Sequence, residues 1–194
     1  MSHYFETGDG PLVTREVRAS VFGRDLVFTT ARGVFSGSRL DPGTSVLLRE
    51  VPPPETGHVL DLGCGFGPIA VGLAIASPGV TVEAVDVNEK AVALTRMNAE
   101  RHGVADRVRA GITAVGPFDE IWSNPPIRIG KDALHELLLL WLPRLKPDGV
   151  AWLVVGKNLG ADSLAKWLTA QGWPTEKLAS AKGFRILKTT WARE

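Results

Sequence analysis

Three glycines on alternate positions form the first segment of the chain with a clear chemical use. They stand in the run DLGCGFGP (61–68), directly after an apolar stretch. Glycine adopts backbone angles that a Cβ forbids, and it lets a ligand approach the main chain closely. A dinucleotide-binding turn would have its third glycine where this chain has Pro68, at the helix start that receives a pyrophosphate. The spacing therefore favours a nucleoside without phosphates and argues against a nicotinamide dehydrogenase.

A carboxylate stands at the end of the next apolar run. Asp86 lies within TVEAVDV (81–87), a pattern typical of a second strand. Its two oxygens can accept both hydroxyls of a ribose as a forked pair, the role that an acidic residue serves at this point of nucleoside-binding folds. Taken alone, the glycine turn and the strand-end carboxylate could each be ordinary structural features. Together, at this spacing, they predict a nucleoside site.

A third segment, Ser123-Asn124-Pro125-Pro126-Ile127, has the composition of a rigid strand exit. Two consecutive prolines hold the chain extended as it leaves the strand. The side-chain oxygen of Asn124 and the main-chain carbonyl of Pro125 can then each accept one hydrogen of a bound NH₂ group. On its own the segment could also be a turn whose Asn bonds local backbone. Its position after a nucleoside site favours a catalytic role.

The chemistry that needs such a pair of acceptors is the activation of an aromatic amine. The lone pair of such an amine is delocalised into its ring, so the amine is a poor nucleophile. Two acceptors that hold both hydrogens draw the nitrogen toward tetrahedral geometry and direct its lone pair at an electrophile. They also stabilise the cationic nitrogen that forms, by positioning and by fixed dipoles. No general base is required.

The elements that must position these residues follow from alternating strand and helix signals after His58. The sequence predicts an α/β fold, Rossmann-like, with a mostly parallel seven-stranded sheet, a C-terminal antiparallel strand pair and helices on both faces. An N-terminal β-hairpin is predicted over 13–30, with its turn at 22–25. Residues 1–50 are expected to form this hairpin and a lid-like extension, and 51–194 the main domain. The predicted strands are 58–62, 81–87, 107–110, 120–123, 149–155, 175–179 and 184–190; the predicted helices are 44–50, 68–76, 89–102 (capped by Asn88), 132–145 and 161–171.

The motifs resemble those of a known family. VLDLGCGFGPIA (59–70) is similar to motif I of class I S-adenosylmethionine-dependent methyltransferases, and AVDVNEKAV (84–92) to their next motif. NPPIRIGKDALH (124–135), GVFSGSRLDPGTSVLL (33–48) and KGFRILK (182–188) resemble the guanine-N2 methyltransferases of small-subunit ribosomal RNA, built on the methyltransferase small domain, and their single-domain archaeal relatives. The resemblance covers nearly the whole chain. It implies an S-adenosylmethionine-dependent N-methyltransferase acting on the exocyclic amine of a guanine in RNA.

The resemblance also implies site residues. Asp61 and the glycine turn would line the methionine and ribose portions of the cofactor, Asp86 would hold the ribose hydroxyls, and Val87 or Asn88 would flank adenine. Many relatives have an acidic residue for the adenine amino group after strand three; this chain has Ala110-Gly111-Ile112, so only backbone groups are expected there. The expected catalytic residues are Asn124, Pro125, Pro126 and Ile127, and the expected cofactor residues are Phe35, Asp61, Gly63, Cys64, Gly65, Gly67, Asp86, Val87, Asn88, Ile112 and Asn124.

Charge and composition narrow the partners. The formal net charge of +1 gives no strong electrostatic signal for nucleic acid, but a local basic rim can bind RNA without a high total charge. The single Cys64 is expected to be a packing residue, and the four histidines lack metal-ligand spacing. No apolar signal or membrane-spanning run is present, so a cytoplasmic protein, monomer or homodimer, is expected. The cations expected at the rim are Arg32, Arg39, Arg128, Lys131, Lys182 and Arg185.

Two other functions stay open on the sequence. The acceptor could be a small-molecule or protein amine, which Ile127 and the flanking motifs disfavour only moderately. The chain could also be a non-catalytic module that binds cofactor or RNA, although Asp61, Asp86 and Asn124 are all present. The two-domain bacterial members of the family have a further N-terminal copy that this sequence does not match. How the chain selects its RNA, and whether it needs an assembled subunit or a dimer partner, therefore stays open.

Overall fold

The computed structural model describes residues 6–7, 10–34 and 38–191 of the chain. Its helices are α1 (Pro42–Glu50), α2 (Pro68–Ala76), α3 (Glu89–Arg101), α4 (Lys131–Trp141) and α5 (Ala161–Ala170), with short 3-10 turns at Ile127–Ile129, Leu142–Arg144 and Lys157–Leu159. Its strands are β1 (Glu6–Thr7), β2 (Gly10–Pro11), β3 (Thr14–Val21), β4 (Arg24–Ala31), β5 (Thr56–Leu62), β6 (Gly79–Val85), β7 (Val108–Gly111), β8 (Phe118–Ser123), β9 (Leu145–Gly156), β10 (Thr175–Ala181) and β11 (Phe184–Thr190).

The main sheet has seven strands in the order β10-β11-β9-β8-β5-β6-β7. The strands from β5 to β9 pair in parallel, and β11 pairs antiparallel with both β9 and β10. Apolar residues of α1, α2 and α3 pack in one core cluster, while those of α4 and α5 pack in a second cluster on the opposite face. The predicted Rossmann-like fold, with its antiparallel C-terminal pair and N-terminal hairpin, is confirmed.

Several element boundaries differ from the prediction: β6, for example, is Gly79–Val85 rather than 81–87, and β9 is Leu145–Gly156 rather than 149–155. Two of the differences, at helices, have clear local causes. The helix predicted over 132–145 ends at Trp141, because Pro143 has no N–H to continue the α-helical ladder and the chain tightens into a 3-10 turn. Helix α1 begins at Pro42 rather than at residue 44. Asp41 caps it by accepting hydrogen bonds from the N–H groups of Gly43 and Thr44 at 2.8 and 3.1 Å. The predicted helix 68–76 and strand 184–190 are confirmed to the residue, and so is the Asn88 cap.

The hairpin of β3 and β4 packs on α2 and α3. Its turn is two residues, Phe22 and Gly23, both with positive φ (47° and 74°), which is shorter than the predicted turn over 22–25 and matches the twist of a hairpin. Gly72 of α2 lies directly under Val21, where an added Cβ would clash with the valine side chain. The hairpin therefore shares the core of the main domain.

Asn98 of α3 joins the hairpin to the glycine turn. It is fully buried; its Oδ1 accepts from the N–H of Thr29 at 2.7 Å, and its Nδ2 donates to the carbonyls of Thr29 and Phe66 at 2.8 and 2.7 Å. One amide thus satisfies three main-chain groups on two segments.

We expect Asn98→Ala to lower the free energy of unfolding by about 1–3 kcal/mol, because it leaves main-chain groups of the half-buried Thr29 and the buried Phe66 without partners. Chemical denaturation of both proteins measures the difference. Glu100→Ala, an exposed change on the same helix, is the control and should stay within roughly 0.5 kcal/mol of the parent protein. Equal stabilities for the Asn98 variant and the control would contradict this role.

Candidate active site

The glycine turn and the Asn-Pro-Pro segment leave neighbouring strands at the same level of the sheet. Strand order reverses between β5 and β8, and Leu62 of β5 lies opposite Ser123 of β8. The hydroxyl of Ser123 donates to the carbonyl of Leu62 at 2.7 Å and locks this register. In open α/β sheets ligands bind at such a reversal, outside the carboxyl ends of the strands.

A cavity lies at this point. It is small, with a volume of about 30 Å³, and it opens to solvent. Its walls combine the glycine turn, the start of α2, the start of α1 and the end of β8. The lining residues are Leu40, Asp41, Thr44, Gly63, Cys64, Gly65, Phe66, Pro68, Ile69 and Asn124.

The three glycines of the turn have different tasks. Gly63 and Gly65 have positive φ (78° and 57°), and a Cβ added to either would meet nothing within 4 Å, so both leave open space beside the main chain. At Gly67 an added Cβ would stand 3.0 Å from the side chain of Thr95. Gly67 therefore allows α3 to pack on the turn, and it does not line the cavity.

Asp86 is held by the turn that it faces. Its Oδ2 accepts from the N–H of Gly65 at 3.0 Å, and its Oδ1 accepts from the N–H of Asn88 at 2.9 Å. Each carboxylate oxygen can accept more than one hydrogen bond. The two main-chain bonds thus fix the carboxylate and leave acceptor capacity on both oxygens for a ligand.

Asp61 lies beneath the turn rather than on the cavity wall. It is fully buried; its Oδ2 accepts from the N–H of Ala70 at 3.0 Å, while its Oδ1 has no hydrogen-bond partner. Burial raises the pKa of Asp61 to about 7, the N–H of Ala70 opposes this, and the charge of Asp86 adds to it. An unpaired buried carboxyl oxygen of this kind is suited to a cationic or hydrogen-donating group at the turn.

Two exposed apolar side chains flank the far end of the site. Val87 after β6 is 92% exposed and Ile112 after β7 is 62% exposed. The backbone carbonyls of Ala110 and Gly111 are already occupied, the first by Arg96 and the second by the N–H of Asp86. The Ala110 carbonyl thus accepts two hydrogen bonds, whereas the Gly111 carbonyl accepts one and keeps a lone pair for a ligand.

Asn88 and Cys64 are used inside the protein. The Oδ1 of Asn88 caps α3 through the N–H of Lys90, and its Nδ2 donates to the carbonyl of Gly33 at 3.0 Å. The thiol of Cys64 is buried and accepts from the hydroxyl of Thr95 at 3.4 Å. Burial, together with the charge of Asp61, raises the pKa of the Cys64 thiol, so it is a poor nucleophile.

The carboxamide of Asn124 has a defined orientation. Its Nδ2 donates to Oδ1 of Asp41 at 2.7 Å and to the hydroxyl of Thr44 at 3.1 Å. The side-chain oxygen of Asn124 is thereby left as an acceptor at the cavity wall. Pro125 is buried, and its carbonyl accepts from the N–H of Ile127 at 2.8 Å, which leaves one lone pair of that carbonyl.

Beyond these residues the chain turns back at once. Pro126 is exposed, Ile127 is half-buried, and the two residues lead into the short 3-10 turn before α4. The sequence therefore located the strand exit correctly, with Asn124 and Ile127 on either side of the proline pair.

The cations predicted for the basic rim differ in exposure. Arg32, Arg39, Arg128, Lys131 and Lys182 are exposed. Arg185 is not: its side chain is 16% exposed and forms an ion pair with Asp162, so the expectation that it contributes to an open rim is wrong. Phe35 lies outside the described residues.

The start of α1 belongs to the site and was missed by sequence reasoning. Leu40, Asp41 and Thr44 line the cavity, and two of them bond Asn124. The available signal was Asp-Pro-Gly-Thr (41–44), because Asp followed by Pro is a helix-start pattern. This pattern predicts a helix cap, but no local rule predicts that the capping residue contacts Asn124, directly after β8.

In the part of the chain that the structure describes, no group of His, Cys, Asp and Glu could hold a metal ion. Within the same residues, every helix is too short or too polar to span a membrane.

Known proteins resemble this chain over most of its length. The model of the methyltransferase small domain matches residues 25–188. The uncharacterized protein YbxB of Bacillus subtilis (strain 168) is 34% identical over 172 residues, covering 85% of this chain and 86% of its own. The ribosomal RNA small subunit methyltransferase C of Shewanella loihica is 35% identical over 169 residues, covering 78% of this chain and 49% of its own.

Solved structures agree with this. The 16S rRNA N2 G1207 methyltransferase of T. thermophilus, in complex with AdoMet and guanosine, superposes with a TM-score of 0.80 at 25% identity, over 93% of this chain and 51% of that one. The ribosomal protein L11 methylase of Lactobacillus delbrueckii shares the fold, with a TM-score of 0.65 at 19% identity over 85% of this chain and 95% of its own. The chain spans about half the length of the rRNA methyltransferases that it matches.

The fold and the match to the methyltransferase small domain define an S-adenosylmethionine-dependent methyltransferase. The chain belongs to the methyltransferase small domain family.

Proposed function

We propose that this enzyme methylates the exocyclic N2 amine of a guanine in small-subunit ribosomal RNA. One observation carries the proposal: the NH₂ of Asn124 is bonded to Asp41 and Thr44, so its carboxamide oxygen is available to an amine beside the cofactor turn. A hydrogen-bond acceptor with this orientation suits a substrate NH₂ group, which donates hydrogen bonds. It suits a hydroxylate or carboxylate substrate less well, because those groups only accept hydrogen bonds.

The cofactor fits the residues at the glycine turn. Asp86 would hold the ribose hydroxyls with the acceptor capacity left on its oxygens, and Val87 and Ile112 would cover the adenine with their exposed side chains. The unpaired Oδ1 of Asp61, buried beneath the turn, would accept a hydrogen bond from the methionine ammonium. S-adenosylmethionine supplies the electrophilic methyl group.

The protein's own contribution to the reaction is the placement of two acceptors. The oxygen of Asn124 and the carbonyl of Pro125 would each accept one hydrogen of the amine and turn its lone pair toward the cofactor. Their dipoles stabilise the positive charge that develops on nitrogen. The methylated amine is acidic enough to release its extra proton to water, so no protein base is needed.

The substrate assignment is supported by relatives. The superposed T. thermophilus protein is a 16S rRNA N2 G1207 methyltransferase holding guanosine, and the Shewanella relative is a small-subunit rRNA methyltransferase. Both are about twice as long as the matched region, so RNA selection by the present chain need not follow theirs. A substrate of this kind places the protein in the cytoplasm.

We propose further that residues 1–50 form a hairpin and lid-like extension of the domain 51–194. The lining of the cavity by Leu40, Asp41 and Thr44 supports a role of this extension at the site, while the hairpin and α1 share the core of the main domain.

Labelled S-adenosylmethionine tests the function directly. The protein is incubated with deproteinised small-subunit rRNA, assembled small subunits, large-subunit rRNA and transfer RNA in separate reactions, and the product nucleoside is identified. The proposal expects N2-methylguanosine in one of the small-subunit reactions. Label in protein or in small amines would favour the alternative acceptors. Cofactor binding without transfer to any pool would favour a non-catalytic module.

The exposed cations after the proline pair should contact RNA phosphates. We expect the double change Arg128→Ala and Lys131→Ala to weaken binding of small-subunit rRNA and to flatten the plot of log affinity against log salt by roughly 0.7 per lost contact. Filter binding at several salt concentrations measures the slope. The control changes two exposed cations elsewhere, Arg24→Ala and Lys166→Ala, and should keep the parent slope. If the Arg128→Ala and Lys131→Ala double variant keeps the salt slope of the parent protein, neither residue contacts RNA phosphates.

A further inference from the structure

Asp41 connects the start of α1 to the catalytic carboxamide. A single oxygen, Oδ1, accepts from the N–H of Gly43 at 2.8 Å, from the N–H of Thr44 at 3.1 Å and from Nδ2 of Asn124 at 2.7 Å. The bond to Asn124 is the shortest of the three, and it joins residues 83 positions apart in sequence. Helix capping needs only the first two bonds, so the third requires a separate explanation.

The chemistry of this contact fixes which way the Asn124 amide faces. An ionised carboxylate accepts hydrogen bonds and cannot donate them, whereas a carboxamide has one donating end and one accepting end. If the amide of Asn124 turned over, its oxygen would stand against the oxygen of Asp41. The hydroxyl of Thr44 accepts the second hydrogen of the same NH₂ group at 3.1 Å. Both contacts therefore hold the carboxamide oxygen away from α1.

The packing of α1 keeps Asp41 in place. A Cβ added to Gly43 would stand 3.0 Å from Oδ1 of Asp41 and 3.0 Å from the ring of Phe184, so the helix start fits closely between its own cap and β11. Thr44 is buried at 6% exposure. The acceptors for Asn124 thus belong to a rigid part of the fold, as a positioning group must.

We infer that Asp41 is a positioning residue for methyl transfer, which keeps the oxygen of Asn124 directed at the reacting amine, with Thr44 assisting. This inference rests on the proposed function of Asn124. It goes beyond that function because it assigns to Asp41 an effect on transfer through the orientation of Asn124, rather than through the amine or the methyl group.

Asp41→Ser separates this role from helix capping. Serine caps a helix about as well as aspartate, but its shorter side chain does not reach Asn124. We expect Asp41→Ser to keep the unfolding free energy and the affinity for S-adenosylmethionine close to those of the parent. Single-turnover transfer to deproteinised small-subunit rRNA, or to assembled subunits if these are the active substrate, should slow by about 10- to 100-fold, the loss of one hydrogen bond to a charged group.

Two further variants sharpen the test. Asp41→Asn keeps an acceptor oxygen in the same position, so it should recover most of the rate that Asp41→Ser loses. Thr44→Val removes only the second acceptor, leaves the cap untouched and should slow transfer by a smaller factor than Asp41→Ser. It carries the test if Asp41→Ser fails to fold.

The decisive measurement is a double-mutant cycle with Asn124→Ala. If Asp41 acts through Asn124, Asp41→Ser causes no further slowing once Asn124 is alanine. The inference is overturned if Asp41→Ser is as fast as the parent, or if it slows the Asn124→Ala enzyme as much as it slows the parent. Parent-like transfer by Asn124→Ala itself would instead overturn the proposed function, so the two failures can be told apart.

Discussion

Asn124→Ala should slow single-turnover methyl transfer by roughly 10²–10³-fold, the cost of removing one fixed hydrogen-bonding group from a developing charge. The variant removes one of the two acceptors on the amine, while the carbonyl of Pro125 stays in place. The strand exit is set by the two prolines, so the fold should survive the change. Rapid-quench measurements at saturating S-adenosylmethionine, with the RNA that proves active, give the rate.

The matched control for this prediction is Asn158→Ala. Asn158 is an exposed asparagine in the turn after the neighbouring strand β9, and its loss should leave the rate unchanged. Asn124→Asp is the second comparison, because it keeps an acceptor but removes the NH₂ group that bonds Asp41 and Thr44. It also sets a second carboxylate against Asp41, so only partial activity is expected. A folded, cofactor-binding Asn124→Ala enzyme with the parent rate would falsify the amine-activation role.

Asp86→Ala should weaken S-adenosylmethionine binding by about 1.5–3 kcal/mol, or roughly 10- to 150-fold in affinity. The carboxylate would be lost as an acceptor for the ribose hydroxyls. Its bonds to the N–H groups of Gly65 and Asn88 would be lost as well, so the turn would have to be ordered when the cofactor binds. Titration calorimetry of both proteins with S-adenosylmethionine measures the change.

Asp106→Ala provides the control for this second prediction. Asp106 is an exposed aspartate before β7, at the opposite end of the sheet from the cavity. The same change of charge there should leave cofactor affinity within error. If the Asp86 variant is folded and binds the cofactor as tightly as the parent, Asp86 does not belong to the site.

The parts of the fold that the sequence predicts well are those governed by neighbouring residues. Within a helix, Pro68 fits only the first turn, and Asn88 is a favoured N-cap residue. The short apolar runs that precede these two positions have the length of buried strands. Parallel strands place their carboxyl ends at one edge, so the sequence predicts that the glycine turn, Asp86 and Asn124 lie at the same edge of the sheet.

The parts that the sequence did not predict depend on contacts between distant segments. Nothing around Asp41 indicates that it meets Asn124, and nothing around Arg185 indicates that Asp162 neutralises it and removes it from the rim. The same holds for Asn98, whose mid-helix position would be unfavourable if its amide did not bond the hairpin and the glycine turn. Each of these side chains satisfies a group brought near it only by the completed fold.

The polar side chains that α3 presents to β4 have a consequence for the protein in concentrated solution. Asn98 bonds both main-chain groups of Thr29, and the ring of His102 bonds the carbonyl of Val27 at 2.8 Å. These main-chain groups lie on the edge of β4 that does not face β3. Unpaired groups on such an edge can form hydrogen bonds with a strand of another chain. The helix thus occupies the positions that an incoming strand would use. The hairpin is therefore protected along this edge against intermolecular strand pairing and the aggregation that follows from it.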